Sequence, residues 1–162
     1  MTYNIFQDWK ANKGNSKGRL VMVFYRLAYF VRHKYFIFYI FFWVVILYKL
    51  IIEWIFGIEL SLGARIGKNT SLWHGQSLVL NPEVIIGENC ILRHCTTIGN
   101  NGSNNKSPVI GNNVNIGANV SIIGDILIGD NCVIGAGTVV VKSIPPNSVV
   151  VGNPCKIIKT IS

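Results

Sequence analysis

The chain has 162 residues, of which 50% are hydrophobic and 14% are charged, and its formal net charge is +8. This length predicts one domain, or one domain with an appendage, and the apolar fraction excludes an intrinsically disordered protein. The aromatic residues are unevenly placed, because 17 of the 18 lie in residues 1–56. Residues 1–34 also carry seven Lys or Arg side chains against a single acid. The chain therefore divides into two parts of different physical character, residues 1–56 and 57–162.

The N-terminal part contains two apolar stretches, residues 20–31 and 35–56. The second is long enough to cross a bilayer. Its uninterrupted uncharged run is only fourteen residues long, so it fits an interfacial or re-entrant helix equally well. Flanking bases favour the cytoplasmic leaflet, where the lipid is anionic. These bases are Arg26, Arg32 and Lys34. We predict a helical segment that associates with a membrane surface; the alternative is a soluble helical hairpin that buries its aromatic side chains.

Nucleic acid is not an expected partner, because the bases are interleaved with long apolar runs and no nucleic-acid-binding motif is present. The cysteines are sparse and show no CxxC spacing, so they predict neither a disulfide framework nor a metal site. We interpret them as small buried side chains in a reducing compartment. They are Cys90, Cys95, Cys132 and Cys155.

The second part is dominated by an aliphatic residue that recurs every six positions, with two breaks in register. A period of six is not helical, and it predicts a short strand and a turn repeated three times per coil of a parallel β-solenoid of four to five coils. Gly and Asn residues such as Asn89, Asn113 and Asn131 suit the turns. One break is a two-residue insertion, which we place after Leu78. The aliphatic positions are Leu60, Ile66, Leu72, Leu78, Ile86, Leu92, Ile98, Ile110, Ile116, Ile122, Ile128, Ile134 and Val140.

Over residues 58–160 this repeat resembles the hexapeptide-repeat acyltransferases. The resemblance is most specific at residues 72–75 (Leu-Trp-His-Gly) and 152–158 (Gly-Asn-Pro-Cys-Lys-Ile-Ile). It points to the serine acetyltransferases and to the polysaccharide acetyltransferases of the colanic-acid type. The resemblance implies a left-handed parallel β-helix, a homotrimer, and acetyl-CoA as co-substrate.

Two histidines are candidates for chemistry. His74 and His94 each lie two residues after an inward aliphatic residue, so we expect them on one face of neighbouring coils. A histidine can take a proton from a hydroxyl near neutral pH, and we predict this role for His74. No metal is expected, because two imidazoles are too few for a zinc site. Resemblance to the serine acetyltransferases, which have an Asp fifteen residues before the catalytic His, implies that Glu59 orients His74. The third histidine, His33, is interpreted as an interfacial residue.

Two departures from the serine acetyltransferases concern the acceptor. Trp73 replaces the acid that precedes their catalytic histidine, and residues 106–108 (Lys-Ser-Pro) replace their Arg-His-Pro. The contacts to the serine amine and carboxylate are therefore expected to be lost, whereas an aromatic side chain suits the apolar face of a sugar ring. The polar excursion at residues 99–107 is a second candidate recognition element. The predicted acceptor-binding residues are Trp73, His94, Asn100 and Lys106.

For the acyl donor, the resemblance implies a groove between subunits along the C-terminal coils. Small residues there would let the pantetheine arm approach the backbone, and lysines would supply cations for the nucleotide phosphates. The predicted coenzyme-binding residues are Ala118, Gly135, Ala136, Lys142 and Lys156.

These features predict an acetyl-CoA-dependent O-acetyltransferase that acts on a sugar hydroxyl, free or lipid-linked, in bacterial capsule, exopolysaccharide or O-antigen synthesis. Acetyl-CoA is cytoplasmic, so the catalytic part is expected on the cytoplasmic side of the inner membrane. A monotopic or hairpin anchor fits this better than one crossing that begins with the bases in the cytoplasm. The alternatives are a serine O-acetyltransferase, an N-acetyltransferase acting on a nucleotide-linked amino sugar, and a non-enzymatic scaffold.

Overall fold

The structure is a computed structural model that describes residues 3–103 and 105–161. It contains two α-helices, α1 (Ser16–Arg32) and α2 (Tyr35–Tyr48), and α2 is followed by a π-helical segment (Lys49–Ile55). Short strands make up the rest. They are β1 (Ile58–Leu60), β2 (Arg65–Ile66), β3 (Ser71–Trp73), β4 (Leu78–Leu80), β5 (Ile85–Ile86), β6 (Ile91–Arg93), β7 (Thr97–Gly99), β8 (Val109–Ile110), β9 (Asn115–Ile116), β10 (Ser121–Ile123), β11 (Leu127–Ile128), β12 (Val133–Ile134), β13 (Val139–Val140), β14 (Ser148–Val151) and β15 (Lys156–Thr160).

The strands wind into a parallel β-helix with three faces, as the repeat predicted. Sheet A contains β1, β4, β7, β10 and β13; sheet B contains β2, β5, β8 and β11; sheet C contains β3, β6, β9, β12, β14 and β15. Each of the first four coils contributes a strand to each sheet in turn, and the fifth contributes β13 to sheet A and β14 to sheet C. Every aliphatic position of the repeat is buried. We name each corner by the sheets that it joins, so the C–A corner links β3 to β4, β6 to β7, and so on.

An asparagine ladder runs along the B–C corner. Each member has a φ between 56° and 60°, the left-handed region that Asn tolerates better than most residues. The side-chain amide of each donates to the side-chain oxygen of the next, at 2.9 to 3.1 Å. This confirms the predicted turn role of asparagine. The members are Asn69, Asn89, Asn113, Asn131 and Asn147.

The insertion placed after Leu78 lies before it. Strand pairing aligns Leu60 with Leu80, and aligns Leu78 with Ile58. The two extra residues therefore belong to the C–A corner at residues 74–77. Leu78 is still buried, because residues two apart in a strand point to the same face.

Side chains of the helical segment close the open edge of the first coil. Unpaired backbone groups at a sheet edge need partners, and here they bond to buried polar side chains. One hydrophobic cluster also runs from α1 and α2 into the coils. The donor and acceptor pairs are Tyr48 Oη to Leu60 O, Tyr25 Oη to Ala64 O, Arg26 to Ile66 O and Gly67 O, Asn12 Nδ2 to Thr70 O, and Asn15 Nδ2 to Leu72 O.

The expectation that Arg26 faces anionic lipid is wrong. Its Nε lies 2.8 Å from Asp8 Oδ2, and the two side chains are 4% and 2% exposed. The Asp8 carboxylate also accepts a 2.9 Å hydrogen bond from the backbone N–H of Thr70. A buried carboxylate needs a partner, and Arg26 supplies it while bonding to the first coil. Arg32 and Lys34 are exposed.

One side of α2 and the π-helical segment packs against the protein, and the other side is exposed. The packed side includes Val44, Val45, Tyr48 and Ile52. Within the described ranges, Tyr35–Ile55 is the one helix long and apolar enough to cross a membrane by length and composition. The alternative, a soluble hairpin that buries its aromatic side chains, therefore holds for Tyr25 and Tyr48. It does not hold for the aromatic side chains on the exposed side of the helix. The exposed side chains, which we call the apolar face, include Tyr35, Phe36, Tyr39, Ile40, Phe42, Trp43, Ile46, Leu47, Leu50, Trp54 and Ile55.

Candidate active site

His74 and His94 occupy equivalent places on the first two coils, at the C–A corner. They are equivalent because Trp73 of β3 is paired with Arg93 of β6. The imidazole centroids are 5.6 Å apart and the ring planes meet at 81°. His74 is exposed and His94 is half-buried. Among the described residues, Nδ1 of His94 is buried without a hydrogen-bond partner. The corner therefore holds two imidazoles in contact, one of them with an unused nitrogen.

The corner around His74 has an unusual backbone. His74 has a φ of +65°, in the left-handed region where side chains other than Gly, Asn and Asp are uncommon. A Cβ added at Gly75 would lie 2.9 Å from Ile58 Cδ1, so this turn packs tightly on β1. The Gln76 amide can donate to the His74 carbonyl and accept from Lys17 Nζ, both at 3.1 Å. The extra residues of the insertion thus follow His74 directly, and α1 helps to hold them.

Glu59 lies on the outward side of β1, beside Val79 in the pairing of β1 with β4. No hydrogen bond joins it to either imidazole within the described residues. It lines a cleft together with Arg32, Lys49 and Glu53. An orienting role for Glu59 stays a prediction.

The predicted acceptor residues fall into two groups. Trp73 ends β3 immediately before His74, and its side chain is 36% exposed. Asn100 and Lys106 follow β7 at the A–B corner, where Lys106 Nζ lies 3.0 Å from Asp125 Oδ2. Strand β7 crosses the whole of sheet A between His94 and Asn100. Within one chain, the loop is therefore not brought to the histidines.

The histidine positions continue into a column of small residues along the same corner. Strand pairing makes Ala118 and Ala136 the equivalents of His94 on the third and fourth coils. The coils are linked by hydrogen bonds from Asn119 N to His94 O, at 3.0 Å, and from Gly137 N to Ala118 O, at 2.9 Å. The column forms a shallow, small-residue path that starts at the histidines.

The predicted coenzyme-binding residues are only partly together. Ala118, Gly135 and Ala136 lie on this column. Lys156 is paired with Val151 at the C-terminal end of sheet C. Lys142 lies at the A–B corner, at the opposite end of β13 from Ala136. The small residues implied by the resemblance therefore lie together, whereas Lys142 lies apart from them.

The cysteines behave differently from one another. Cys90 and Cys132 are buried, and burial raises the pKa of both thiols. Cys95 is exposed, which contradicts its interpretation as a buried residue, because it takes a turn position with a φ of +55° next to His94. Cys155 is half-buried.

Across residues 3–103 and 105–161, no three His, Cys, Asp or Glu side chains are grouped as metal ligands would be.

Comparisons with known proteins agree with this architecture. The family model for bacterial transferase hexapeptide (six repeats) matches residues 107–142. WcaB of Escherichia coli strain K12, named as an acetyltransferase of colanic acid biosynthesis, is 37% identical over 158 residues, which are 94% of this chain and 98% of WcaB. The serine acetyltransferase of Buchnera aphidicola subsp. Schizaphis graminum is 40% identical over 110 residues, which are 66% of this chain and 42% of that protein.

Among solved structures, serine acetyltransferase from Brucella abortus strain S19 in complex with coenzyme A has a TM-score of 0.81 at 27% identity, and covers 98% of this chain and 67% of that one. The fold and the histidine-bearing corner therefore define a β-helical acyltransferase. The chain belongs to the hexapeptide-repeat acetyltransferases. The predicted enzyme class is confirmed.

Sequence reasoning missed that polar residues of the helical segment lie beside the site. Lys17 reaches Gln76, while Arg32, Lys49 and Glu53 line the cleft beside Glu59. Their positions depend on how the helices dock on the first coil. No local pattern in the sequence signals that docking.

Proposed function

We propose that the chain is an acetyl-CoA-dependent O-acetyltransferase that acetylates a sugar hydroxyl during assembly of a bacterial surface polysaccharide. The observation that carries this proposal is the match with WcaB over almost the full length of both proteins, helical segment included. The match with serine acetyltransferase covers less than half of that relative. Trp73 beside His74 adds an aromatic surface of the kind that sugars stack on.

In the proposed reaction, His74 takes the proton of the acceptor hydroxyl while the oxygen attacks the thioester carbonyl of acetyl-CoA. The C–S bond then breaks, and the proton passes from the imidazolium to the departing thiolate of coenzyme A. His94 packs edge-on against His74, restricts its ring and lines the acceptor site with Trp73. Glu59 would need to turn toward His74 in order to orient it.

A homotrimer would complete the site. Asn100 and Lys106 lie across sheet A from the histidines of their own chain, so they would contact an acceptor held by the histidines of a neighbouring copy. The small residues Ala118, Gly135 and Ala136 fit a pantetheine arm, because their own side chains are no larger than a methyl group. Lys156 lies near the C-terminal end of this path, and Lys142 would contact the phosphates of a coenzyme shared with a neighbour.

We also propose that the apolar face lies in the cytoplasmic leaflet of the inner membrane. The opposite side of the helix is fixed to the β-helix, through the 2.7 Å hydrogen bond from Tyr48 Oη to Leu60 O and through buried Ile52. A helix that buries one side on protein and exposes the other to its surroundings suits the plane of the interface better than a crossing. Exposed Lys34 stands beside it to meet anionic headgroups. This position would place the site next to lipid-linked acceptors.

Serine O-acetyltransferase is the second candidate, favoured by 40% identity to a serine acetyltransferase over the coils. One thiol-release assay separates the two. The detergent-extracted full chain is given acetyl-CoA with either L-serine or lipid-linked glycans from the source cells. We expect thiol release with the glycans and none with L-serine. In His74→Ala the rate of release should fall about 10²- to 10⁴-fold, the range for removing a general base. His33→Ala, which changes the exposed third histidine, should leave the rate unchanged. Release driven by serine would overturn the proposal.

A further inference from the structure

A polar cleft lies between the helical segment and the first two coils. It has two adjoining lobes of about 340 and 310 Å³, which share Glu53, Glu59 and Val79. The first lobe adds Arg32, from the end of α1, and Lys49, the first residue of the π-helical segment. The second lobe adds Trp54 and Gly57. Both bases therefore lie in the first lobe, the two acids lie where the lobes meet, and Trp54 forms an aromatic wall in the second lobe.

The charged side chains of this cleft do not form ion pairs with one another. Within the ranges that the structure describes, no ion pair within 4.0 Å joins either base to either acid. Glu53 is half-buried, and desolvation raises its pKa; Lys49 opposes this rise and Glu59 adds to it. Charges that line a cleft without pairing, at a cost in desolvation, are typical of a site that binds a polar ligand.

The second lobe adjoins the histidine corner. The backbone N–H of Ser77, in the turn that carries His74, donates a 2.7 Å hydrogen bond to the carbonyl of Gly57 in this lobe. The first lobe, with Arg32 and Lys49, lies on the other side, where α1 ends and the apolar face begins. A ligand extended along the cleft would thus have one end at the histidines and the other at the membrane side.

We propose that this cleft binds the acceptor through a glycosyl phosphate or diphosphate. Arg32 and Lys49 contact the phosphate, Glu53 and Glu59 accept hydrogen bonds from sugar hydroxyls, and Trp54 stacks on the ring. The inference rests on the proposed function, which it refines by naming the chemistry of the acceptor. A lipid diphosphate and a nucleoside diphosphate share that chemistry, and the experiment distinguishes them.

The first test is binding, which does not depend on turnover. Inorganic diphosphate is titrated into the detergent-extracted full chain, and into Arg32→Gln, Lys49→Gln and the double variant. Each lost charge-assisted contact should weaken binding about ten-fold or more. Lys68→Gln is the matched control, because Lys68 is exposed and paired with Glu88 on the far side of the β-helix. Coenzyme A binding should be unchanged in all of them. Diphosphate binding that is unchanged in the double variant and in both single variants would overturn the proposal.

The second test uses the acetyl-transfer rate. For Lys49→Gln, the KM of a diphosphate-linked sugar should rise about ten-fold, with little change for the same sugar lacking phosphate. Comparing polyprenyl-linked with nucleoside-linked sugar diphosphates identifies the source of the phosphate. An equal rise for the phosphate-free sugar would overturn the proposal. If no sugar supports transfer although diphosphate binds at the cleft, the proposed function fails while the binding site stands.

Discussion

Asp8 and Arg26 form a 2.8 Å ion pair beneath the first coil, although 18 residues separate them in the chain. The pair links the irregular N-terminus, α1 and the β-helix, since Arg26 also donates to the carbonyls of Ile66 and Gly67. The helical segment is therefore part of the folded body and not only an attachment to it.

Replacing Arg26 by methionine should lower the free energy of unfolding by about 3–5 kcal/mol, because the Asp8 carboxylate is left buried without a counter-charge. Denaturant unfolding of the detergent-extracted chain measures this loss. The double variant Asp8→Asn with Arg26→Met should recover part of it, since no charge is then buried. If the double variant is no more stable than Arg26→Met, the unpaired carboxylate is not the cause.

Asn113 offers a test of the asparagine ladder. It has a φ of 56° and bonds through its side chain to Asn89 and Asn131. Asn113→Ala should destabilise the protein by about 1–2 kcal/mol, because an alanine resists the left-handed region and removes both amide contacts. Asn113→Gly keeps the backbone conformation and should cost less in the same urea titration. A larger cost for glycine than for alanine would show that φ is not the controlling factor.

High pH should release the helical segment from the first coil. Burial raises the pKa of Tyr3 to about 12, and it also raises the pKa of Tyr25 and of Tyr48. The folded state favours the neutral phenols, so their contribution to stability is complete below pH 10, the ordinary tyrosine value. It is lost as the pH rises through the folded values.

Absorbance of the phenolates and far-UV circular dichroism, followed together above pH 10, measure this release. The ionisation of the buried tyrosines should coincide with the loss of ordered structure. Tyr25→Phe, which removes the hydrogen bond to Ala64 O, should remove one phenol from that late step. Full ionisation before any structural change would contradict the argument.

Membrane binding can be tested with a matched pair of isoleucines. Ile40 on the apolar face and Ile158 on β15 are 66% and 62% exposed. Ile40→Ser should weaken flotation with anionic vesicles about ten-fold, the effect of losing one buried aliphatic side chain. Ile158→Ser should not weaken it. Equal effects would mean that the apolar face is not the surface that meets lipid.

The β-helix could be predicted because its signal is local and repeated. Each aliphatic residue faces inward on its own coil, so the six-residue period alone predicts three short strands per coil. The position of the insertion could not be predicted, since Leu78 and Leu80 are both apolar and both point inward. Arg26 resembled a lipid-facing base, because its partners, Asp8 and two carbonyls of the first coil, are distant in sequence.

The candidate site likewise has a part that the sequence predicts and a part that it does not. The contact of His74 with His94 follows from spacing along a regular coil, and so does the column through Ala118. The cleft does not follow, because it depends on the angle at which the π-helical segment crosses β1. That angle is set by packing between parts of the chain that share no pattern.

The capped first coil also limits how copies can associate. The open edge of a parallel β-helix is a template on which another chain could add its own coil, and such end-to-end addition never closes. Here Tyr25, Arg26, Asn12 and Tyr48 occupy the backbone acceptors of that edge with side chains, which cannot continue a strand. The protein therefore ends its own sheets, avoids growth into fibres, and leaves the sides of the prism as the surfaces where copies can meet.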